Sequence, residues 1–174
     1  FLDVRFRIEV RDTGQYTAEG SDEVEFMIST NPGEPLKPLG KIASGGELSR
    51  VMLAIKTVLA DQDAIGTVVF DEIDTGISGR TAQKVSEKLA LIGKSRQVIC
   101  ITHLAQIAAM ADSHYCIEKH AADGSTETVI RRLSEEEAAE ELARILGGAR
   151  ITESVRENAR EMRKLALQLK NKRK

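Results

Sequence analysis

TVVFDEID, residues 67–74, decides the fold. Four β-branched or apolar residues run without a break into two adjacent carboxylates, Asp71 and Glu72. An uninterrupted apolar run of this length reads as a strand buried on both faces, as in a parallel sheet. In parallel sheets the C-terminal strand ends form the ligand edge. Carboxylates there are costly to desolvate unless a cation or a proton-transfer task requires them. One can hold Mg²⁺ through water, and the next can polarise an attacking water. A solvated turn at a strand end accounts for the same letters.

Moving toward the C-terminus, residues 80–92 have helical spacing, with Val85, Leu89 and Ile92 on one side. QVICITH, 97–103, is a second buried strand, and it ends in His103, at the same edge as Asp71 and Glu72 if the sheet is parallel. A histidine there can hydrogen-bond a transferring phosphate and help place water; a structural histidine is the competing reading. LAQIAAMA (104–111) reads as a short helix, HYCIE (114–118) as a third strand, and ETVIRRL (127–133) as an outer strand after the turn DGS (123–125). Ser134-Glu-Glu-Glu resembles a capping box opening a helix. A last helix starts near Thr152, with Val155, Ala159, Met162, Ala166 and Leu169 three and four apart. Strand, helix, strand, helix, strand predicts a parallel α/β sheet with right-handed crossovers.

Toward the N-terminus lies ASGGELSR, 43–50. Leu48, Val51, Met52, Ile55 and Leu59 mark one helix face, and Ser44 is placed to cap a helix beginning near Glu47 or Leu48. Gly45 and Gly46 let backbone approach a ligand closely, and amides at a helix start favour an anion. A Ser-capped helix after a glycine turn is the plainer alternative. NPGEPLKPLG (31–40) holds all three prolines and reads as a connector. EVEFMIS (23–29) and DVRFRIEV (3–10) alternate as half-buried strands, with DTG (12–14) as a turn, and predict a small antiparallel sheet beside the parallel one.

Composition narrows the class. The chain has 174 residues, 41 % of them hydrophobic, and a net charge of −2, so it is no electrostatic DNA clamp. The acidic block Glu135, Glu136, Glu137, Glu140 and Glu141 and the basic end Arg163, Lys164, Lys170, Lys172, Arg173 and Lys174 read as solvated helix faces. The basic end has no interleaved aromatics, and the chain has no Trp, so base stacking is not indicated. No apolar run reaches the ~20 residues of a membrane span, and FLDVRFRIEV has no signal-peptide core. Cys100 and Cys116 lie in strand-like stretches, as expected of a reduced cytoplasmic protein. Cys100, His103, His114, Cys116 and His120 lack the spacing of a zinc knuckle. Gly33 with Gly40-Lys41 imitates a P-loop, but the spacing is too long and Ile42 stands where a hydroxyl is needed. Any loop that cradles nucleotide phosphates lies elsewhere.

SGGE before a helix, VVFDEID after it and ITH at 101–103, in that order, resemble the second half of an ABC-type ATPase head of the SMC-like subclass. GSDEVEFMISTNPGEPLKPLGKIASGGELSRVMLAIK (20–56) and VVFDEIDTGISGRTAQKV (68–85) resemble a branch of that family serving bacterial DNA double-strand-break repair. The resemblance implies ATP and Mg²⁺ as cofactors. Ser44, Gly45, Gly46 and Glu47 stand at the signature motif, which contacts the γ-phosphate of ATP held by the opposite head. Asp71 stands at the Walker B aspartate that supports Mg²⁺, Glu72 at the catalytic glutamate and His103 at the switch histidine. Ser78 stands where most relatives carry the D-loop aspartate, and Ala43 where a leucine is usual.

The Walker A and Q-loops are missing, and the resemblance places them in an N-terminal half across a long coiled coil. The implied partners are that half, a second head in a homodimer, and DNA through other regions, with no membrane and a nucleoid-associated, cytoplasmic setting. Such a chain would be inactive alone and would expose the sheet edge where the other half docks. The implied layout is antiparallel strands at 1–30, a Pro-rich connector at 31–42, the α/β core at 43–133 and C-terminal helices at 134–174. Two alternatives stay open: a non-catalytic, ATP-gated DNA-bridging module, and a transporter ATPase. Against the latter, the signature follows two strands and a Pro-rich loop, and the strand ends in DEID rather than DEPT.

Overall fold

The computed structural model describes residues 4–42, 44–59, 64–122 and 125–172. Phe1–Asp3, Ala43, Asp123 and Gly124 of the expected DGS turn, and Arg173 and Lys174 of the basic end lie outside the described residues.

The chain opens with a long hairpin of β1 (Arg5–Thr17) and β2 (Gly20–Ser29), edged by β3 (Lys37–Pro38). Pairing places Phe6 opposite Ile28 and Ile8 opposite Phe26, so every second residue shares a face; the Phe6 and Phe26 rings stack with centroids 5.9 Å apart. DTG is not the turn. β1 runs through it, and the register slips between Asp12 and Thr17. Asp12 Oδ1 accepts the Gly14 N–H at 2.9 Å while Gly14 takes a φ of +67°, so the motif forms a bulge and the reversal falls at Ala18–Glu19. Within the connector, Pro38 sits on an edge strand, where the missing N–H costs no ladder bond.

Helix α1 (Gly45–Val58) leads to β4 (Thr67–Phe70), α2 (Gly79–Ile92), β5 (Gln97–Cys100) and a short α3 (Ala105–Ala108). β4 and β5 pair in parallel, Thr67 to Gln97 through Phe70 to Cys100. The third expected strand does not join them. β6 (Tyr115–Ala122) takes its ladder bonds from β7 (Ser125–Arg132), its antiparallel sequence neighbour, in a separate two-stranded sheet. Helices α4 (Glu135–Gly147) and α5 (Glu153–Lys172) close the chain. The capping box at Ser134 forms: its Oγ accepts the Glu137 N–H at 3.2 Å, and Glu137 Oε2 accepts the Ser134 N–H at 2.8 Å.

Two apolar clusters meet at α3. One gathers Leu53, Phe70, Ile73, Val85, Leu89, Ile92 and Ile107 under the parallel strands. The other joins Ala105, Ala108, Ala109 and Met110 to Leu142, Ala143, Ala159 and Ala166 of the last two helices. Arg163 of α5, only 8 % exposed, reaches back to donate to the carbonyls of Ala109 (2.8 Å) and Ala111 (2.6 Å) and to Glu135.

β4 is buried on one face only, contrary to its uninterrupted apolar run. Phe70 is covered, but Val69 is 61 % exposed, as are Ile99 (46 %) and Ile101 (48 %) beside it. The expected core stripe of α1 is open as well: Leu48, Met52, Ile55 and Leu59 face outward, while Val51 and Leu53 pack inward.

Candidate functional site

Parallel pairing delivers the ends of β4 and β5 to one edge. Ile101 N–H donates to the Phe70 carbonyl at 3.0 Å, so Asp71-Glu72 and Thr102-His103 leave the sheet side by side. Asp71 and Glu72 are exposed, and Asp71 Oδ1 accepts the Glu72 N–H at 2.9 Å. Glu72 has a φ of +56°, unique among the described non-glycine residues. A left-handed backbone conformation of this sort costs roughly 1 kcal/mol or more in a non-glycine residue and concentrates at functional sites. The chain then turns tightly, with Thr75 N–H on the Glu72 carbonyl at 3.0 Å and Ile77 N–H on that of Asp74 at 3.3 Å.

α1 is docked end-on against this turn. Ser49 Oγ donates to the Asp71 carbonyl at 2.8 Å, and Arg50 donates to the carbonyls of Ile73 (3.1 Å) and Thr75 (2.8 Å). A Cβ on Gly46 would lie 2.8 Å from the Thr75 carbonyl and 2.9 Å from that of Glu72; one on Gly45 would overlap the Glu72 carboxylate. Gly46 is thus required first by the chain's own acidic turn, whereas a side chain at Gly45 would only displace the exposed Glu72 carboxylate. The helix begins at Gly45, earlier than the expected Glu47 or Leu48, and Ser44 occupies the N-cap position without a side-chain capping bond. Its carbonyl accepts the Leu48 N–H at 3.0 Å. Glu47 accepts a hydrogen bond from Thr30 Oγ1 at 3.1 Å, tying α1 to the end of β2. Ser78 is exposed at the N-cap position of α2.

The residue that joins the two strand ends is Asp74, which composition and spacing did not single out. It is 3 % exposed, and its Oδ2 accepts from Thr102 Oγ1 (2.5 Å) and the His103 N–H (2.8 Å), with His103 Nδ1 lying 3.0 Å away. Ser49, Arg50 and Thr102 were missed too. Their signal is positional: two polar residues one turn after a glycine pair, and a hydroxyl immediately before a strand-end histidine.

Burial pushes the Cys100 thiol up to about 12, and the carboxylates of Asp74 and Asp71 add to that. Burial is also the leading cause raising Cys116. Burial lowers the Arg50 guanidinium, against the opposing charges of Glu47 and Asp74. Among the described residues no three His, Cys, Asp or Glu side chains converge as a metal cage. One exposed carboxylate, Asp71, at a strand end matches instead the needs of Mg²⁺, which keeps several waters and takes one or two carboxylates plus substrate phosphates.

No protein-family model matches the chain. Curated proteins do. It is 47 % identical over 169 residues to the DNA repair protein RecN of Halalkalibacterium halodurans, covering 97 % of this chain and 30 % of that protein. Against RecN of Bacillus subtilis the identity is 50 % over 156 residues (90 % and 27 % covered), and against RecN of Treponema pallidum 54 % over 136 residues (78 % and 23 %). Among solved structures, the Smc head domain with a coiled coil and joint from Pyrococcus yayanosii matches with a TM-score of 0.54 and 25 % identity, over 80 % of this chain and 25 % of that one. A structure from a study of ATP-driven dimerization and DNA-stimulated activation of SMC ATPases shares the fold at a TM-score of 0.51 and 24 % identity, over 82 % and 81 %. The fold is that of an SMC-type ATPase head. Within that class the chain belongs to the RecN DNA repair family, as a C-terminal segment spanning under a third of these relatives' length.

Proposed function

We propose that this segment is the signature-bearing lobe of an ATP-hydrolysing head in a RecN-type DNA repair protein. The reading rests on one observation: the acids after β4, the histidine after β5 and the glycine start of α1 occupy one rim. Asp71 would hold Mg²⁺ through water, Glu72 would polarise the attacking water, and His103 would face the transferring phosphate. Ser44, Gly45, Gly46 and Glu47 would meet the γ-phosphate of a nucleotide carried by a second head, with Ser78 beside that interface. The bound Mg·ATP supplies the phosphoanhydride to be cleaved; this chain supplies the carboxylate that accepts the water's proton and the donors that neutralise the leaving charge.

No Walker A loop occurs here, so that cradle belongs to another segment, and the chain alone is inactive. The open apolar surface of α1, β4 and β5 supports docking of such a segment. Among the described residues no helix is long and apolar enough to cross a membrane, and a setting beside the nucleoid fits a repair role.

Glu72→Gln in a protein of the relatives' full length tests the reading. ATP should still bind and heads should still dimerise, while kcat falls by about 10²–10⁴-fold, the usual contribution of general base catalysis. Undiminished turnover would remove Glu72 as the base and leave ATP a purely bridging role.

A further inference from the structure

We infer that Asp74 is a positioning residue that fixes both the tautomer and the direction of His103. The inference rests on the assignment of His103 to the phosphate-facing role above. A carboxylate accepts and cannot donate, so an Asp74 oxygen 3.0 Å from Nδ1 favours the proton of the neutral imidazole on that nitrogen. Nε2 is then the nitrogen presented outward, on a side chain that is 73 % exposed while Asp74 is 3 % exposed. The arrangement follows the general logic of a buried acid orienting a histidine.

Three further bonds make the placement rigid. The same Oδ2 accepts the His103 backbone N–H and the Thr102 hydroxyl, so ring, backbone and preceding residue are held by one atom. Thr102 Oγ1 in turn accepts the Leu104 N–H at 3.1 Å, which fixes the exit of the loop. Asp74 itself is set by its neighbours on both sides, since Arg50 grips the carbonyls of Ile73 and Thr75. A shift of the helix start at Gly45–Gly46 would therefore reach His103 through Arg50 and Asp74. The fourth letter of DEID thereby couples the rim's two strand ends.

Two measurements test this. In the 174-residue chain, ¹⁵N shifts of the His103 ring should show the Nδ1–H form. Asp74→Ala should return it to the Nε2–H form that free histidine prefers, and Asp74→Asn, which keeps one carbonyl acceptor, should rescue part of the original. An unchanged tautomer in folded Asp74→Ala overturns the inference; if that variant does not fold, a His103 ring found in the Nε2–H form in the unsubstituted chain does so. In a protein of the relatives' full length, Asp74→Ala should lower kcat about 10–100-fold, the scale on which outer partners tune a functional histidine, with KM for ATP little changed. It should add nothing to His103→Ala. Loss of turnover in His103→Ala but not in Asp74→Ala rejects the positioning role alone. Full turnover in both variants rejects the functional reading of His103, while the tautomer still decides what Asp74 does.

Discussion

Gly46 illustrates how a single position is governed by competing effects. Within a helix, glycine to alanine ordinarily gains about 1 kcal/mol. Here the new Cβ would meet two backbone carbonyls at 2.8 and 2.9 Å, neither of which can rotate away. Gly46→Ala should therefore lower the melting temperature rather than raise it, and a rise would mean that α1 is not seated on the 72–75 turn. The glycine pair was legible in the sequence as a place of close backbone approach, but its first neighbour is intramolecular. Asp71, Glu72 and His103 were legible because apolar strands run straight into them. Asp74 was not: nothing in the spacing of DEID says that its last carboxylate turns inward onto a histidine nearly thirty positions away, a contact made only by the parallel pairing of two strands.

Among elements, the last helix pair has the clearest electrostatic signature. The Arg163 guanidinium, by hydrogen bonding and then by charge, holds the Glu135 carboxyl below its ordinary 4.5. Glu137 is held down by the Ser134 backbone N–H and hydroxyl, and by Arg131. Both folded forms prefer the ionised acid. Their contribution is thus complete above pH 4.5 and is lost as pH falls through the lowered folded values. Urea unfolding of Glu135→Gln should show a deficit at neutral pH that narrows steadily below pH 4.5; a deficit independent of pH would exclude the ion pair as its source. Ser134 and its helix were readable because a capping box is local. The fate of β6 was not, since an alternating strand pattern does not specify a partner, and the sequence-adjacent β7 captured it. DTG misled for a related reason: the same letters serve a turn or a bulge, and the length of the flanking strands decides between them.

For the whole molecule, the decisive property is the uncovered apolar surface. Val69, Ile99, Ile101, Leu48, Met52 and Ile55 lie open across the sheet and α1. Patches of this kind drive association. The 174-residue chain should form concentration-dependent oligomers in analytical ultracentrifugation, and co-expression with the N-terminal segment of a RecN relative should abolish them and raise the melting temperature. A monodisperse monomer unaffected by that segment would contradict a split head. Apolar patterning predicts these positions to be buried and the structure leaves them open, because such a pattern marks a face for covering without specifying what covers it.

α3, four residues long, begins two residues after His103, and its far end is gripped by Arg163 from the final helix. The histidine loop is consequently as stiff as that grip allows, and tension on the final helix has a direct mechanical route to it. Truncating the chain before Arg163 should speed amide exchange at Leu104–Ala108 while leaving β4 protected.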